Sequence, residues 1–389
     1  MLNSEITIFA WNVPSGGLLK IIHEEYKYFT NQGYHVNVIF FRACIPPYYN
    51  DIMSDLRPIV ITRSADSSGP LKFLSEQSAT FAFNMPIKAF FSPAFNLLFK
   101  KKQYVIAHEL ASGFSLFFYL IFNRSRVATV LHDNPLAFSE TVSSGKLSIV
   151  GKLVKFFVKR LLGIFRILVA TTPSISDSLS HELPRRKFII AEFGVNICND
   201  APNILKRKDI LVMTKWTRQR MPEKYLQIAL MLGKEFRFVL AGHWDEISYL
   251  NEIERMAEEI NIQGANIVIE KDLSESEVHA LYHKCRVFIR LSFSEKGTGQ
   301  GILDAIGHGC VLVIGRELGG LSGIRDKLHG YLVNSENLSC ISEKIREIFG
   351  SDELSSYFSR NVYQFSNQHT WEEYGRILEK SFVGDSYAD

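Results

Sequence analysis

Residues 287–305 read VFIRLSFSEKGTGQGILDA. A short run of β-branched and aromatic residues, Val287 to Arg290, gives way to a turn in which Gly297, Gly299 and Gly301 remove three Cβ atoms, and a helical pattern follows from Ile302 to His308. Strand, glycine-rich turn and helix in that order form the repeating unit of a doubly wound α/β sheet. With no side chains in the way, backbone N–H groups at the turn can approach a ligand, and the helix N-terminus adds partial positive charge that favours an anion. A diphosphate fits such a place; the plainer alternative is a tight strand-to-helix turn with no ligand. The spacing is neither GxGxxG nor GxxxxGK, which argues against a dehydrogenase and against a nucleoside triphosphatase. Asp304, expected in the first turn of that helix, could accept hydrogen bonds from a ribose or simply favour the helix N-terminus.

Upstream, the apolar run Ile210 to Met213 is followed by Thr214-Lys-Trp-Thr-Arg-Gln-Arg220. Lys215, Arg218 and Arg220 thus stand at the C-terminal end of an expected parallel strand, where open α/β sheets bind ligands. Cations there could neutralise a leaving diphosphate, arginine with two hydrogen bonds at once. A solvated basic loop is the alternative.

Outward from these two segments the pattern of short strands and longer helices covers the chain twice. Strands are expected at Ile6–Ala10, His35–Phe41, Ile59–Thr62, Tyr104–Ala107, Val127–Leu131 and Ile167–Thr171, and then at Ile210–Met213, Arg237–Ala241, Asn266–Ile269, Val287–Arg290 and Val311–Ile314. Glu192 to Lys208 mixes Gly, Asn, Asp and Pro with basic residues and reads as the hinge. The expected fold is α/β, with two Rossmann-like doubly wound domains, 1–195 and 205–365, facing each other across a cleft. A closing helix over 366–385 places Trp371, Tyr374, Ile377 and Leu378 on one face.

A length of 389 residues exceeds what one core usually organises, which agrees with two domains. The charge is nearly balanced, 44 basic against 41 acidic side chains, so a polyanion such as nucleic acid is not an expected partner. The cysteines Cys44, Cys198, Cys285, Cys310 and Cys340 are scattered and show no CxxC or Cys/His spacing, so neither a disulfide framework nor a zinc site is expected. Met1 to Ile8 lacks the features of a signal peptide, and the apolar run Phe114–Phe122 is too short to span a bilayer, so the expected location is cytoplasmic.

Taken together, the glycine-rich turn after a strand, the acidic residue in the next helix and the basic loop after the first strand of the same half resemble the retaining glycosyltransferases of the GT-B fold, family 4. Val13-Pro-Ser-Gly16-Gly17 is similar to that family's N-terminal glycine-rich loop, and Val130-Leu-His132-Asp133 to its VHD segment, whose histidine faces the donor sugar. Phe193-Gly-Val-Asn196, Gly319-Gly-Leu321, His329-Gly-Tyr-Leu-Val333 and Thr370-Trp-Glu-Glu-Tyr374 resemble later motifs of the family in the same order, the last of them its closing helix, which implies that 366–385 crosses back to the N-terminal domain; the acidic residue usual after Gly-Gly is missing. Glycosyl transfer from a nucleoside diphosphate sugar, with retention and without a bound metal or other cofactor, is what the resemblance implies. In the register that aligns Gly297, Thr298, Gly299 and Ile302-Leu303, Asp304 stands at the family's ribose-binding glutamate and Lys296 at its sugar-binding one. Either an insertion lets the neighbouring Glu295 reach the sugar, or that contact is altered.

The resemblance therefore implies catalytic roles for His132, Lys215, Arg220 and Glu295. Donor contacts are implied from Gly16, Gly17, Lys215, Arg220, Lys296, Gly297, Thr298, Gly299 and Asp304. His108, Glu109 and Asp133 are candidates for the acceptor; His108-Glu109 could equally cap a helix. The acceptor would be a glycan or lipid-linked, in cell-envelope polysaccharide synthesis. A non-catalytic partner subunit and a nucleotide-sugar epimerase on the same fold are the rivals. Phenylalanines concentrate at Phe81–Phe122 and Leu153–Phe165, and in the latter Lys152, Lys155, Lys159 and Arg166 share a helical face. Such a helix can rest on an anionic membrane surface, or can be a core helix with a wetted side.

Overall fold

The computed structural model describes residues 5–13, 16–43, 49–63, 103–116, 127–132, 134–136, 148–201, 203–292, 299–318 and 322–383. The chain divides into two compact units, Met1–Phe193 with Trp371–Asp389, and Gly194–Thr370.

Unit 1 runs β1 (Glu5–Val13), α1 (Gly16–Asn31), β2 (His35–Ala43), α2 (Asn50–Leu56), β3 (Ile59–Arg63), β4 (Gln103–His108), α3 (Glu109–Ser115), β5 (Val127–Leu131), α4 (Ser148–Ile164), β6 (Ile167–Ala170), α5 (Pro173–Glu182) and β7 (Ile189–Ile190). Its seven-stranded sheet has the order β3-β2-β1-β4-β5-β6-β7, and the paired strands are parallel. A parallel strand flanked by helices on both faces buries both sets of its side chains. In β1, Ile6, Ile8 and Ala10 enter one layer with Leu19, Ile22 and Phe29 of α1, while Phe9 enters the other with Val105, Leu131 and Phe165. Thr172 starts α5 by accepting from the Ile175 N–H, with Pro173 in the first turn where no N–H is needed.

Unit 2 repeats the plan with β8 (Asp209–Met213), α6 (Pro222–Leu232), β9 (Arg237–Gly242), α7 (Ile247–Ile262), β10 (Ile267–Lys271), α8 (Glu275–Lys284), β11 (Cys285–Arg290), α9 (Gly299–Gly307), β12 (Val311–Gly315), β13 (Gly330–Val333), α10 (Leu338–Gly350) and α11 (Asp352–Ser366). The order of its six-stranded parallel sheet is β10-β9-β8-β11-β12-β13. The final helix, α12 (Trp371–Val383), belongs to unit 1, where Trp371, Tyr374, Leu378 and Phe382 join the layer of α1.

Several sequence expectations are adjusted. The strands β7 and β13 were not expected, being only two and four residues long. Residues 194–201 and 203–204, expected within the linker, belong to unit 2: Ile204 is buried in its core, and the Cys198 N–H donates to the Gly307 carbonyl at 2.9 Å. The helix expected from Ile302 begins at Gly299, because a glycine-rich start can enter the helix directly.

Candidate functional site

In both sheets the first strand of the unit lies beside the fourth, and the chain leaves these two neighbours in opposite directions. The crevice outside their carboxyl ends is where doubly wound folds place ligands. In unit 2 that point lies between β8 and β11. Thr214 follows β8, and Arg290, itself buried, ends β11. Arg290 donates through Nη1 to the Thr214 hydroxyl oxygen at 2.7 Å, and Arg220, from the single helical turn Arg218–Arg220, donates to the same oxygen. A hydroxyl oxygen has two lone pairs, so it can accept from both guanidiniums. Like charges gathered in a partly buried place repel, and an anion relieves that repulsion.

Two glycines make the crowding possible. Gly242, ending β9 at φ +132°, lies so close that a Cβ there would collide with the Thr214 carbonyl oxygen, and a Cβ on Gly301 would strike that of Met213. The first turn of α9 is thereby seated directly against the end of β8. Gly299 opens α9 at φ +59°, a left-handed conformation that glycine adopts without penalty.

The basic loop divides by partner. Lys215 pairs with Asp245 at 2.9 Å. Arg218 pairs with Glu246 at 3.3 Å and lies 4.3 Å above the Tyr249 ring. Arg220 turns to Thr214, where it meets Arg290, a residue sequence reasoning missed. The signal was available: a charged residue closing a strand whose other side chains are buried. Asp304 sits in the second turn of α9, not the first, and accepts from the Gln300 amide at 3.0 Å. A place in the second turn removes the explanation that Asp304 merely favours the helix N-terminus, since that effect fades beyond the first turn. Glu295, Lys296, Gly297 and Thr298 lie outside the described residues.

In unit 1 the corresponding point lies between β1 and β4. Gly16 and Gly17 open α1 immediately after β1, and His108 ends β4. A chain of hydrogen bonds runs outward from α12. The Tyr374 hydroxyl donates to Glu25 Oε1 at 2.6 Å, Glu25 Oε2 meets His108 Nε2 at 2.9 Å, and His108 Nδ1 meets His132 Nε2 at 2.9 Å. A carboxylate accepts only, so His108 donates to Glu25 through Nε2–H. Glu25, His108 and Tyr374 are buried, whereas His132 is half-buried and stacks on Phe193 with ring centroids 5.3 Å apart. Burial first, and then the charge of His108, hold His132 well below the usual histidine pKa, so it is a neutral imidazole at neutral pH.

Glu25 was not singled out in the sequence, and Tyr374 was expected only on the packing face of the closing helix. Glu25 lies on the apolar stripe of α1 between Ile22 and Phe29, and a carboxylate in such a stripe requires a buried partner. His108, expected as an acceptor ligand, has no exposed surface and both ring nitrogens engaged, one by Glu25 and the other by His132. Glu109 begins α3 at φ +70°, a strained conformation of the kind held at functional sites. Asp133 lies outside the described residues.

Residues 198–365, all within unit 2, match the family model described as Glycosyl transferases group 1. The second unit carries a glycosyl transferase group 1 domain. That domain contains Arg220, Arg290, Gly301 and Asp304, and the chain as a whole has the GT-B fold. Solved structures with this fold include HepE of Anabaena in complex with UDP, which is 12% identical over 98% of this chain and 100% of its own, with a TM-score of 0.67. Sucrose-phosphate synthase of Thermosynechococcus elongatus is 12% identical over 99% and 100%, with a TM-score of 0.72. S. aureus TarM, solved with UDP, is 12% identical over 98% and 100%, with a TM-score of 0.70. No curated protein sequence matches the chain.

Proposed function

We propose that the protein transfers a glycosyl group from a nucleoside diphosphate sugar to an acceptor hydroxyl, with the donor diphosphate taken by Arg220, Arg290 and the first turn of α9. The convergence of two guanidiniums on Thr214 beside a glycine-opened helix N-terminus carries this assignment. Negative charge on the diphosphate grows as the sugar leaves, so preorganised cations and N–H groups stabilise the transition state more than the bound donor. These groups supply the neutralisation that a metal provides elsewhere, so transfer proceeds without added magnesium or manganese. Asp304 accepts from a ribose hydroxyl. The resemblance to retaining enzymes supports retention of configuration and gives His132 the side of the sugar. A neutral imidazole there can exchange hydrogen bonds with a sugar hydroxyl without competing for the diphosphate as a cation would.

The same proposal places the protein on the cytoplasmic face of a membrane, with a lipid-linked or glycan acceptor of cell-envelope polysaccharide synthesis. Phe156 and Phe157 of α4 support it, being 52% and 55% exposed, with the exposed Lys152 on the same helix and Arg160 over the Phe156 ring at 5.2 Å. Lys155 and Lys159 contribute less than their spacing suggests, because both bind Glu182 at 2.6 Å and their hydrogen bonds pull its carboxyl down to about 2. Among the described residues no helix is long and apolar enough to cross a membrane. Replacing Phe156 and Phe157 by Ser together should reduce co-sedimentation with anionic vesicles, and equal sedimentation of both proteins would remove the membrane from the proposal.

The transfer reaction is tested by melting the protein with UDP-, GDP- and dTDP-sugars and then seeking a glycosylated acceptor by mass spectrometry with the donor that stabilises it. Stabilisation by none of them overturns the donor assignment; stabilisation without transfer to any acceptor makes the chain a donor-binding partner subunit.

A further inference from the structure

Cys198, His279, His283 and His308 come from three separate stretches of unit 2, and one ligand atom from each lies within 4.8 Å of all the others. His279 and His283 are four residues apart and so share a face of α8. His308 follows the last residue of α9, and Cys198 lies in the segment that enters the unit. Cys198 Sγ is 3.3 Å from His283 Nε2, and His308 Nε2 is 2.7 Å from His279 Nδ1. Cys198 and His308 are buried, His283 is half-buried, and His279 is exposed, which leaves a route in from solvent.

We infer that these four side chains form a structural site for a tetrahedral divalent ion of the zinc class, in addition to the donor site and independent of the transferase proposal. One thiolate and three imidazoles make a borderline-soft donor set that suits zinc and not magnesium or calcium. Ligand bonds of roughly 2.0 to 2.3 Å in a tetrahedron put neighbouring donor atoms roughly 3.3 to 3.8 Å apart. The sulfur and His283 already stand at that separation, and the two close imidazoles need only part by less than about 1 Å to meet it. Four protein ligands leave no open position, which is the arrangement of a structural ion.

The surroundings fit a ligand role. His308 Nδ1 donates to the Asp304 carbonyl at 2.7 Å, which fixes the ring and leaves Nε2 bare toward the cluster, as metal-bound histidines require. The Cys198 S–H donates to Asp200 Oδ1 at 3.0 Å, and binding of an ion would release that proton to free the thiolate. The segment bearing Cys198 comes this close only because residue 307 is glycine, since a Cβ there would collide with the Asn196 carbonyl oxygen. An ion would tie that segment to α8 and to the C-terminal end of α9, where the helix dipole favours positive charge. It would thereby brace the helix that carries Asp304. No zinc site was expected from cysteine spacing, because the ligands are separated by tens of residues and only the pair His279 and His283 is local.

The test uses the tag-free full chain, stripped of metal and titrated with zinc against a chromogenic chelator, and with cobalt(II) for its spectrum. One zinc per chain should bind, with a raised melting temperature, and cobalt should show tetrahedral d–d bands with a thiolate-to-cobalt charge-transfer band. His279→Gln, at an exposed position, should fold normally by circular dichroism yet weaken zinc binding by more than about a hundredfold, beyond the loss caused by removing an outer hydrogen-bond partner. Cys198→Ser should abolish the charge-transfer band. Failure of the native chain to bind zinc, or equal binding by native and His279→Gln chains, would show a hydrogen-bonded cluster only.

Discussion

The two units place their candidate groups at the same topological point and fill it with opposite chemistry. Between β8 and β11, charge is concentrated: two guanidiniums share one hydroxyl against a helix N-terminus. Between β1 and β4, charge is managed away from the exposed end: a buried carboxylate holds His108, His108 holds His132, and His132 is neutral. The shared backbone explains the shared location, because a change in winding direction opens a crevice in any such sheet. The crevices then differ in a few side chains at strand ends, two guanidiniums in one unit and a hydrogen-bonded pair of histidines in the other.

The largest expected effect breaks the cationic side. Arg290→Ala should lower kcat by about 10²- to 10³-fold, the usual cost of removing one preorganised donor from a developing anion. Lys215→Ala should cost only severalfold, since its ammonium is half-exposed and already paired with Asp245. Steady-state kinetics on the two variants measure the contrast, and equal losses would return the basic loop to a diffuse electrostatic role.

On the neutral side, Glu25→Ala should cost folding stability on the order of 3 kcal/mol in urea unfolding, because it leaves buried His108 and Tyr374 without their shared acceptor. A loss no greater than that of a surface substitution would mean that the chain of hydrogen bonds from α12 to His132 does not hold the unit together. Asp304→Asn should weaken donor binding by roughly tenfold in calorimetry, the lower end of what a charge-assisted hydrogen bond contributes, with the fold unchanged. Unaltered affinity would remove the ribose from Asp304.

The smallest effect separates the units by pH. Burial, with the charge of His108, depresses the folded-state pKa of His132, so below the usual histidine pKa the unfolded chain binds the proton more readily than the folded one. Stability is therefore complete above about pH 6.5 and declines as the pH falls below it. His132→Gln should flatten that decline when stability is followed from pH 7 to pH 5. An identical slope in the variant would assign the acid sensitivity to the unit 2 histidines His283, His308 and His329, whose pKa values burial also lowers.

The two-fold repetition of short apolar strands and helices, and the glycines at the start of α9, were legible in the sequence because local propensity and period-driven burial act over a few residues. Arg220 and Asp304 could be placed near a strand end and a helix start for the same reason. Their partners could not. Arg290 meets Thr214 across 76 positions, His108 meets Glu25 across 83, and Tyr374 meets Glu25 across 349. Such pairings depend on strand order and on the return of α12 to unit 1, which no local spacing encodes. The cluster of Cys198, His279, His283 and His308 shows the same limit: each residue is ordinary where it stands in the chain, and only the packing of α8 and α9 against the entering segment puts four metal-binding atoms within reach of one ion.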